Sequence, residues 1–357
     1  MKTDIKDYWY DLPPELIAQT PLKKRDESKL LYFDGKNVNH GNKFLDLPKL
    51  LKKGDILVVN ETKVLPIRLI GKKSTGAECE VFLLKDIGVA PQGDPNKKTY
   101  NALIRPAKRL KVGDAVDCGK MKVRISEKHE DGQATVELNY TGIFEEVLDE
   151  VGEVPLPSYI KNVGVAPQGD PLCERYNTIY ACHAGSSAAP TAGLHFTPEV
   201  IKQVEAMGVE IVRIILHVGL GTFRPIKVDN ILNHDMHSEE YFISPEAAEK
   251  INRAKRENRR VVGVGTTSMR ALEHNSAQYG EIKAGSFLAN SFIHNDYDFK
   301  IIDAMITNFH LPNSTLVLLV SAFVGFDNYK EIYKQAVEQQ YRFFSFGDSS
   351  FLIRPRK

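Results

Sequence analysis

Five short segments set imidazole, hydroxyl, amide and guanidinium groups beside small residues near element ends. Pro190-Thr191-Ala192-Gly193-Leu194-His195-Phe196 precedes Thr197-Pro198-Glu199, which reads as an N-cap, a first-turn proline and an early acid. Small residues there let a ligand approach the backbone, and the helix start favours an anion. His195 is a candidate general acid or base, with a structural histidine as the plainer alternative. Leu216-His217-Val218-Gly219-Leu220-Gly221-Thr222-Phe223-Arg224 closes an apolar run. Its two glycines suit a phosphate-cradling turn, although neither GxGxxG nor the Walker A pattern is present. His234-Asp235-Met236-His237-Ser238-Glu239 crowds four titratable side chains into six positions, suited to hydrogen bonding and matching no zinc spacing. Val264-Gly265-Thr266-Thr267-Ser268-Met269-Arg270 reads as a strand, a turn and a helix start. It can hold a carboxylate or ribose, or simply cap the helix. Thr307-Asn308-Phe309-His310-Leu311-Pro312 puts an amide, an aromatic ring and an imidazole at a strand end, either a ligand edge or a satisfied turn.

These loops need a frame. The chain has 357 residues, comfortable for two domains. Its 42% hydrophobic and 26% charged content is globular and excludes disorder as a description of the whole. Formal charge is +1, which argues against a globally basic nucleic-acid binder and leaves local patches open. The most apolar run, Leu316 to Phe326, is too short for a membrane span, and the first residues carry no signal-like stretch. Cys79, Cys118, Cys173 and Cys182 show no Cys-x-x-Cys spacing. The expectation is therefore a cytoplasmic protein with free thiols, no membrane and no metal.

Prolines 13, 14 and 21 make the start read as irregular. Asp55 to Asn60 is a buried-strand run. Short β-like runs follow at 65–70, 80–84, 100–105, 115–118, 122–125 and 134–138, separated by turn residues such as Asp131-Gly132. Beyond them helices and strands alternate. Helices are predicted from Thr197 to Met207, Ser244 to Asn258, Ser268 to His274 and Asn328 to Gln340. Strands are predicted at 209–218 and 261–265, and further apolar elements at 304–307 and 316–320. The pattern predicts an α/β fold: a layered α/β core domain from residues 1–61 and 154–357, carrying an inserted small β-barrel domain at 62–153. Between Lys97 and Arg124 the inserted module has nine basic and two acidic residues, a density able to track a phosphate backbone or simply to solvate one face. The octapeptide GVAPQGDP occurs at 88–95 and at 164–171, which suits exposed loops.

The collinear series PTAGLHF (190–196), LHVGLGTF (216–223), MHSE (236–239), VGTTSMRALE (264–273), TNFHLPNSTL (307–316) and YRFFSFGD (341–348) resembles one family. It is the S-adenosylmethionine:tRNA ribosyltransferase-isomerases of queuosine biosynthesis. The stretches YDLPPELIAQTPLKKRDESKLL (10–31) and GDILVVNETKVLPIRLIG (54–71) resemble it too, so the likeness runs through nearly the whole chain. One departure is His294-Asn295-Asp296, where the family commonly has an aromatic residue and Pro-Gly in a segment suited to a lid.

The resemblance implies an enzyme that uses S-adenosylmethionine as a ribosyl donor. The acceptor is 7-aminomethyl-7-deazaguanine at the wobble position of a tRNA anticodon stem-loop, and the product is epoxyqueuosine, with adenine and methionine released. No cofactor beyond the co-substrate, no metal and a monomeric state are implied. His195 or His217 is then the expected base, and Asn308 and His310 contact adenine or the deazaguanine. Thr266, Thr267 and Arg270 hold the methionyl carboxylate, and Glu239 meets the sulfonium or the acceptor ammonium. Gly193, Leu194, Gly219, Gly221, Thr222, Arg224 and Phe309 complete the expected substrate contacts. Arg105, Lys108, Arg109, Lys111, Lys122 and Arg124 are expected to dock tRNA. The rivals are an S-adenosylmethionine-dependent tRNA methyltransferase, a non-catalytic RNA-binding protein, and a metallohydrolase built on His234 and His237.

Overall fold

The computed structural model describes residues 2–89, 94–157, 159–160, 171–219 and 226–355. Gly221, Thr222 and Arg224, half of the first GVAPQGDP copy and most of the second lie outside the described residues. The chain divides into two compact units. One takes Met1–Lys63, Tyr159–Lys161 and Arg175–Lys357, and the other Val64–Ser158 and Asn162–Glu174.

The smaller unit is a closed barrel. Strands Arg68–Lys73, Glu78–Val89, Lys97–Arg105, Gln133–Tyr140, Met121–Lys128 and Ala115–Asp117 follow one another around it. The last strand returns to the first through Lys72 opposite Asp117 and Lys73 opposite Val116, so six antiparallel strands close without an edge. Alternation drives this arrangement. Met121, Val123 and Ile125 are buried while Lys122 and Arg124 face outward. Gly71 sits at the closing seam, where a Cβ would lie 2.4 Å from the Asp117 carbonyl oxygen. A helix, Phe144–Val151, was absent from the sequence expectation. Its signal is only Phe144, Val147 and Leu148, an i, i+3, i+4 set too short to stand out.

The larger unit is built on a nine-stranded mixed sheet. Its order is Gly285–Ala289, Glu239–Ile243, Glu210–Leu216, Ile56–Asn60, Val261–Val264, Ala304–Asn308, Ser349–Ile353, Lys29–Phe33 and Val38–Lys43. The four strands from 210–216 through 304–308 are mutually parallel. Ile56–Asn60, Val261–Val264 and Ala304–Asn308 are buried at every residue, as strands covered on both sides must be. Alternate residues enter two hydrophobic clusters. Ile56, Val58, Val212 and Ile214 join Ile251, Met269, Leu272, Leu318 and Ile332 from four helices. Leu57, Val59, Val262 and Val264 join Phe44, Phe196, Val200 and Val204. The fold is thus α/β with a barrel. No helix among the described residues is long and apolar enough to cross a membrane.

The elements that position the site start where polar residues allow. Thr197 Oγ1 accepts from Val200 N and caps the helix Pro198–Ala206. The helix after strand Val261–Val264 begins at Gly265 and runs to Tyr279, longer than the expected Ser268 to His274. Thr266 and Thr267 therefore stand inside its first turn. Gly265 makes the turn with φ +87°, a conformation that L side chains rarely adopt.

Candidate active site

In open parallel sheets, ligands bind beyond the carboxyl ends of the strands. Thr266 and Thr267 follow one such end, and Asn308 and His310 follow another. Together with Ala189, Pro190, Val218, Leu311, Pro312 and Phe344 they line a cleft of about 160 Å³. Its walls are mostly apolar, the surface that a flat heterocyclic base fills. Among the described residues, two polar atoms of the lining are buried without a hydrogen-bond partner: Thr267 Oγ1 and Asn308 Oδ1. Buried polar atoms are normally paired, which sets these two apart from the rest of the lining.

The Asn308 amide is oriented by its surroundings. Nδ2 donates to the Phe344 carbonyl at 3.0 Å and to His195 Nε2 at 3.2 Å. His195 Nε2 is therefore an acceptor, and the ring proton sits on Nδ1, 2.8 Å from Ser28 Oγ. Ser28 Oγ in turn donates to the Arg25 carbonyl at 3.3 Å. The ring also stacks on Phe44, with centroids 5.1 Å apart. Burial, reinforced by the charges of Arg342 and Arg25, pushes the His195 pKa down to about 3. His195 thus holds Asn308 in place, with both of its nitrogens engaged.

The chain direction alternates after strand Ala304–Asn308. His310 lines the cleft, its Nε2 2.8 Å from Thr307 Oγ1, and burial pushes its pKa down to about 3. Phe309 turns instead into the cluster of Tyr333, Tyr341 and Phe343. His217 stands beside the cleft, where its neighbour Val218 lines the wall. Its Nδ1 is 2.9 Å from Thr62 Oγ1, and burial lowers its pKa. Gly185 makes room for it: a Cβ there would come within 2.6 Å of His217 Cε1.

Glu239 and Arg270 meet each other. Arg270 Nη1 donates to Glu239 Oε2 at 2.5 Å, with the side chains 4% and 1% exposed. Glu239 Oε1 accepts from Gly219 N at 3.1 Å and lies 3.5 Å from His237 Nε2. The pair anchors the start of the glycine loop, and the charge of Arg270 is matched inside the protein. Gly193 lets its helical turn pack closely, because a Cβ would sit 2.2 Å from Tyr180 Oη. Leu194 contributes its carbonyl to Arg25 Nη1 at 3.1 Å. Asn295 bonds to Tyr8 and Lys2. Together with Asp296 it lines a different groove, shared with Lys52 to Asp55 and Asn258 to Arg260, the residues that precede the parallel strands.

A family model described as queuosine biosynthesis protein matches residues 5–352. The chain belongs to this family. It is 47% identical over 356 residues to the S-adenosylmethionine:tRNA ribosyltransferase-isomerase of Clostridioides difficile (strain 630), covering 99% of this chain and 100% of that protein. It is also similar to the crystal structure of an S-adenosylmethionine tRNA ribosyltransferase from Thermotoga maritima. There the identity is 29%, the TM-score 0.53, and coverage 97% of this chain and 100% of the other.

Several residues placed at this queuosine-family site had no role in the sequence reading. Ser28 fixes the His195 tautomer. Glu61, Cys182 and His183 gather near His217, with His183 Nδ1 3.2 Å from Glu61 Oε1 and 3.1 Å from Cys182 Sγ. No spacing in the chain signals these partnerships, since the loops that carry them meet only in the folded sheet. In the barrel, Arg105, Lys108, Arg109, Lys111, Lys122 and Arg124 are all exposed. Arg105 and Arg124 lie 3.9 Å from Glu80 and Glu137, a loose pairing that solvent screens.

Proposed function

We propose that the chain transfers and isomerises the ribosyl group of S-adenosylmethionine onto 7-aminomethyl-7-deazaguanine at the tRNA wobble position. Epoxyqueuosine forms, and adenine and methionine leave. The observation that carries this reading is the end-to-end match, at 47% identity, to a relative bearing that enzyme name. The site supports it with an apolar, base-sized cleft that holds two unpartnered polar atoms.

The chemistry follows from the sulfonium. Its positive charge acidifies the protons on the attached 5′ carbon, and a neutral imidazole takes one. The electron pair left on that carbon expels adenine as the sugar ring opens. Ring opening leaves the former ring oxygen as an aldehyde at the 1′ carbon. The acceptor amine then adds at the 4′ carbon of the unsaturated sulfonium and gives up a proton, the regenerated 5′ carbanion attacks the aldehyde to close the carbocycle, and the resulting alkoxide displaces methionine from the 5′ carbon to form the epoxide. The protein must supply a base, hydrogen bonds to the leaving adenine and exclusion of water. Of the four candidates for chemistry, His195, His217, Glu239 and His310, it is His310 that lines the cleft. It is the imidazole best placed to act on a bound substrate. Asn308 Oδ1 accepts from an exocyclic amine, and His195 keeps it aimed. Thr266 and Thr267 meet the ribose. The Glu239–Arg270 pair holds Gly219 at the mouth of the loop. The exposed basic residues of the barrel engage the phosphates of the anticodon stem-loop. The reading carries with it a monomeric cytoplasmic enzyme that needs no metal.

The test is incubation with S-adenosylmethionine and a tRNA bearing 7-aminomethyl-7-deazaguanine, read by mass spectrometry. Epoxyqueuosine, adenine and methionine in equal amounts are expected, with a chelator making no difference. S-adenosylhomocysteine would show a methyltransferase, and bound but unchanged tRNA a binding protein.

A further inference from the structure

Beside the base-sized cleft lies a smaller one, and Ser345 forms part of the wall of both. Arg25, Arg175 and Arg342 line it together with His195. Its volume is about 20 Å³, room for one water-sized group. Three arginines thus border one small space. Burial and the charge of Arg175 pull the Arg25 pKa down to about 10.

Backbone carbonyls hold these side chains in place. Arg25 Nη1 donates to the Leu194 carbonyl at 3.1 Å. Arg175 donates from Nη1 to the Lys23 carbonyl at 3.0 Å and from Nη2 to the Leu22 carbonyl at 2.8 Å. Arg342 Nη1 donates to the Thr20 carbonyl at 3.3 Å. The nearby carboxylate, Asp348, is 3.8 Å from Arg342 Nε, and its oxygens accept from the backbone N–H groups of Lys29 and Arg342. Arg175 Nε is buried with no hydrogen-bond partner among the described residues. Positioned guanidiniums with an unspent N–H form a receptor for a small oxyanion.

We propose that Arg25, Arg175 and Arg342 bind the methionyl carboxylate of S-adenosylmethionine while the adenosyl end occupies the neighbouring cleft. This deepens the function proposed above and rests on it. The methionyl chain is short and ends in an α-ammonium carboxylate, and the water-sized space between the arginines admits a carboxylate oxygen while the ammonium stays outside it. A run of backbone phosphates needs an open track instead. Arg270, the other arginine at the site, has its charge matched by Glu239 at 2.5 Å, although its Nε, like that of Arg175, is buried without a hydrogen-bond partner among the described residues. His195 faces the arginine cleft and bonds through Nε2 to Asn308 of the base cleft, so one rigid element spans both subsites.

The experiment compares S-adenosylmethionine with its decarboxylated analogue, which lacks only the carboxylate. Binding to the full chain is measured by calorimetry, and adenine release is followed in single turnover with the modified tRNA. The native protein is expected to prefer S-adenosylmethionine by about 10- to 100-fold in Kd. In Arg175→Gln and Arg342→Gln the preference falls below about threefold, because affinity for S-adenosylmethionine drops and affinity for the analogue does not. Affinity for tRNA and its salt dependence stay unchanged. Equal affinity of the native protein for the two ligands would overturn the proposal without any variant having to fold. Retained preference in the variants, or weakened tRNA binding with the preference intact, would overturn it too, the latter pointing to a phosphate. In each of these cases native adenine release leaves the proposed function standing. Failure of the native protein to release adenine would remove that function and this assignment together.

Discussion

His195 and His310 make the larger unit sensitive to acid in a calculable way. Both are buried, and both have pKa values pushed from the ordinary 6.5 to about 3. The folded state therefore keeps them neutral where the unfolded chain takes up protons. A lowered histidine pKa contributes stability that is fully kept above the unfolded value and is lost as pH falls below 6.5 toward 3. Between pH 7 and pH 5 each histidine should lose about 2 kcal/mol, and the two together about 4 kcal/mol, out of a typical total of about 5–15 kcal/mol. Urea unfolding followed by far-ultraviolet circular dichroism at the two pH values measures this. His310→Gln and His195→Gln should each lower the pH-dependent loss by about 2 kcal/mol, whatever they do to stability at pH 7. Comparing variants with the native chain cancels groups such as Asp348 and Glu273. Burial raises their carboxyl pKa values, so their contribution runs the opposite way. Identical pH dependence in the variants and the native chain would refute the reasoning. It would mean that both imidazoles titrate normally in the folded chain.

Three further outcomes follow from close contacts and charge. Gly185→Ala puts a methyl group where the His217 ring lies, at a φ of +145°. It should cost about 1–3 kcal/mol in thermal unfolding; an unchanged unfolding temperature would show that the His217 ring does not lie against Gly185. Arg270→Gln leaves Glu239 buried without its partner and should destabilise by about 3–5 kcal/mol, whereas replacing both residues with Met restores most of the loss. Lys108→Glu combined with Arg109→Glu should weaken tRNA binding and lower the slope of log affinity against log salt by about two. An unchanged slope would move the docking surface off this loop.

The parts of the fold legible in the sequence are those whose burial is written in one local pattern. Alternating runs such as Met121 to Ile125 and continuous apolar runs such as Ile56 to Val59 stand out directly. Strand Ser349–Ile353 does not, because its first residues are serines buried by pairing; Ser350 Oγ donates to the Thr307 carbonyl. The hairpin of Lys29–Phe33 and Val38–Lys43 is hidden similarly, its second strand being polar and largely exposed. At the site, the loops with small residues and imidazoles were visible, but their internal partners were not. Arg270 reads from the sequence as a ligand contact, and its ion pair with Glu239 is a partnership that no local spacing signals. Phe309 sat inside a promising motif, yet strand alternation sends it into the aromatic core. Arg175 and Arg342 line one cleft because both donate to carbonyls of the same early segment, Leu22 and Thr20 respectively.

The position of strand Ser349–Ile353 also bears on how the protein is made. It lies between Ala304–Asn308 and Lys29–Phe33, parallel to the second and antiparallel to the first. The strand nearest the start of the chain therefore waits, on the ribosome, for residues near 350 before its inner edge is covered. The barrel strands pair only within residues 68–153 and can close long before. Synthesis thus separates the two units in time. A premature stop even a few codons before position 349 would release a finished barrel attached to an open, adhesive sheet, a product for the cell's proteases rather than a weakened enzyme.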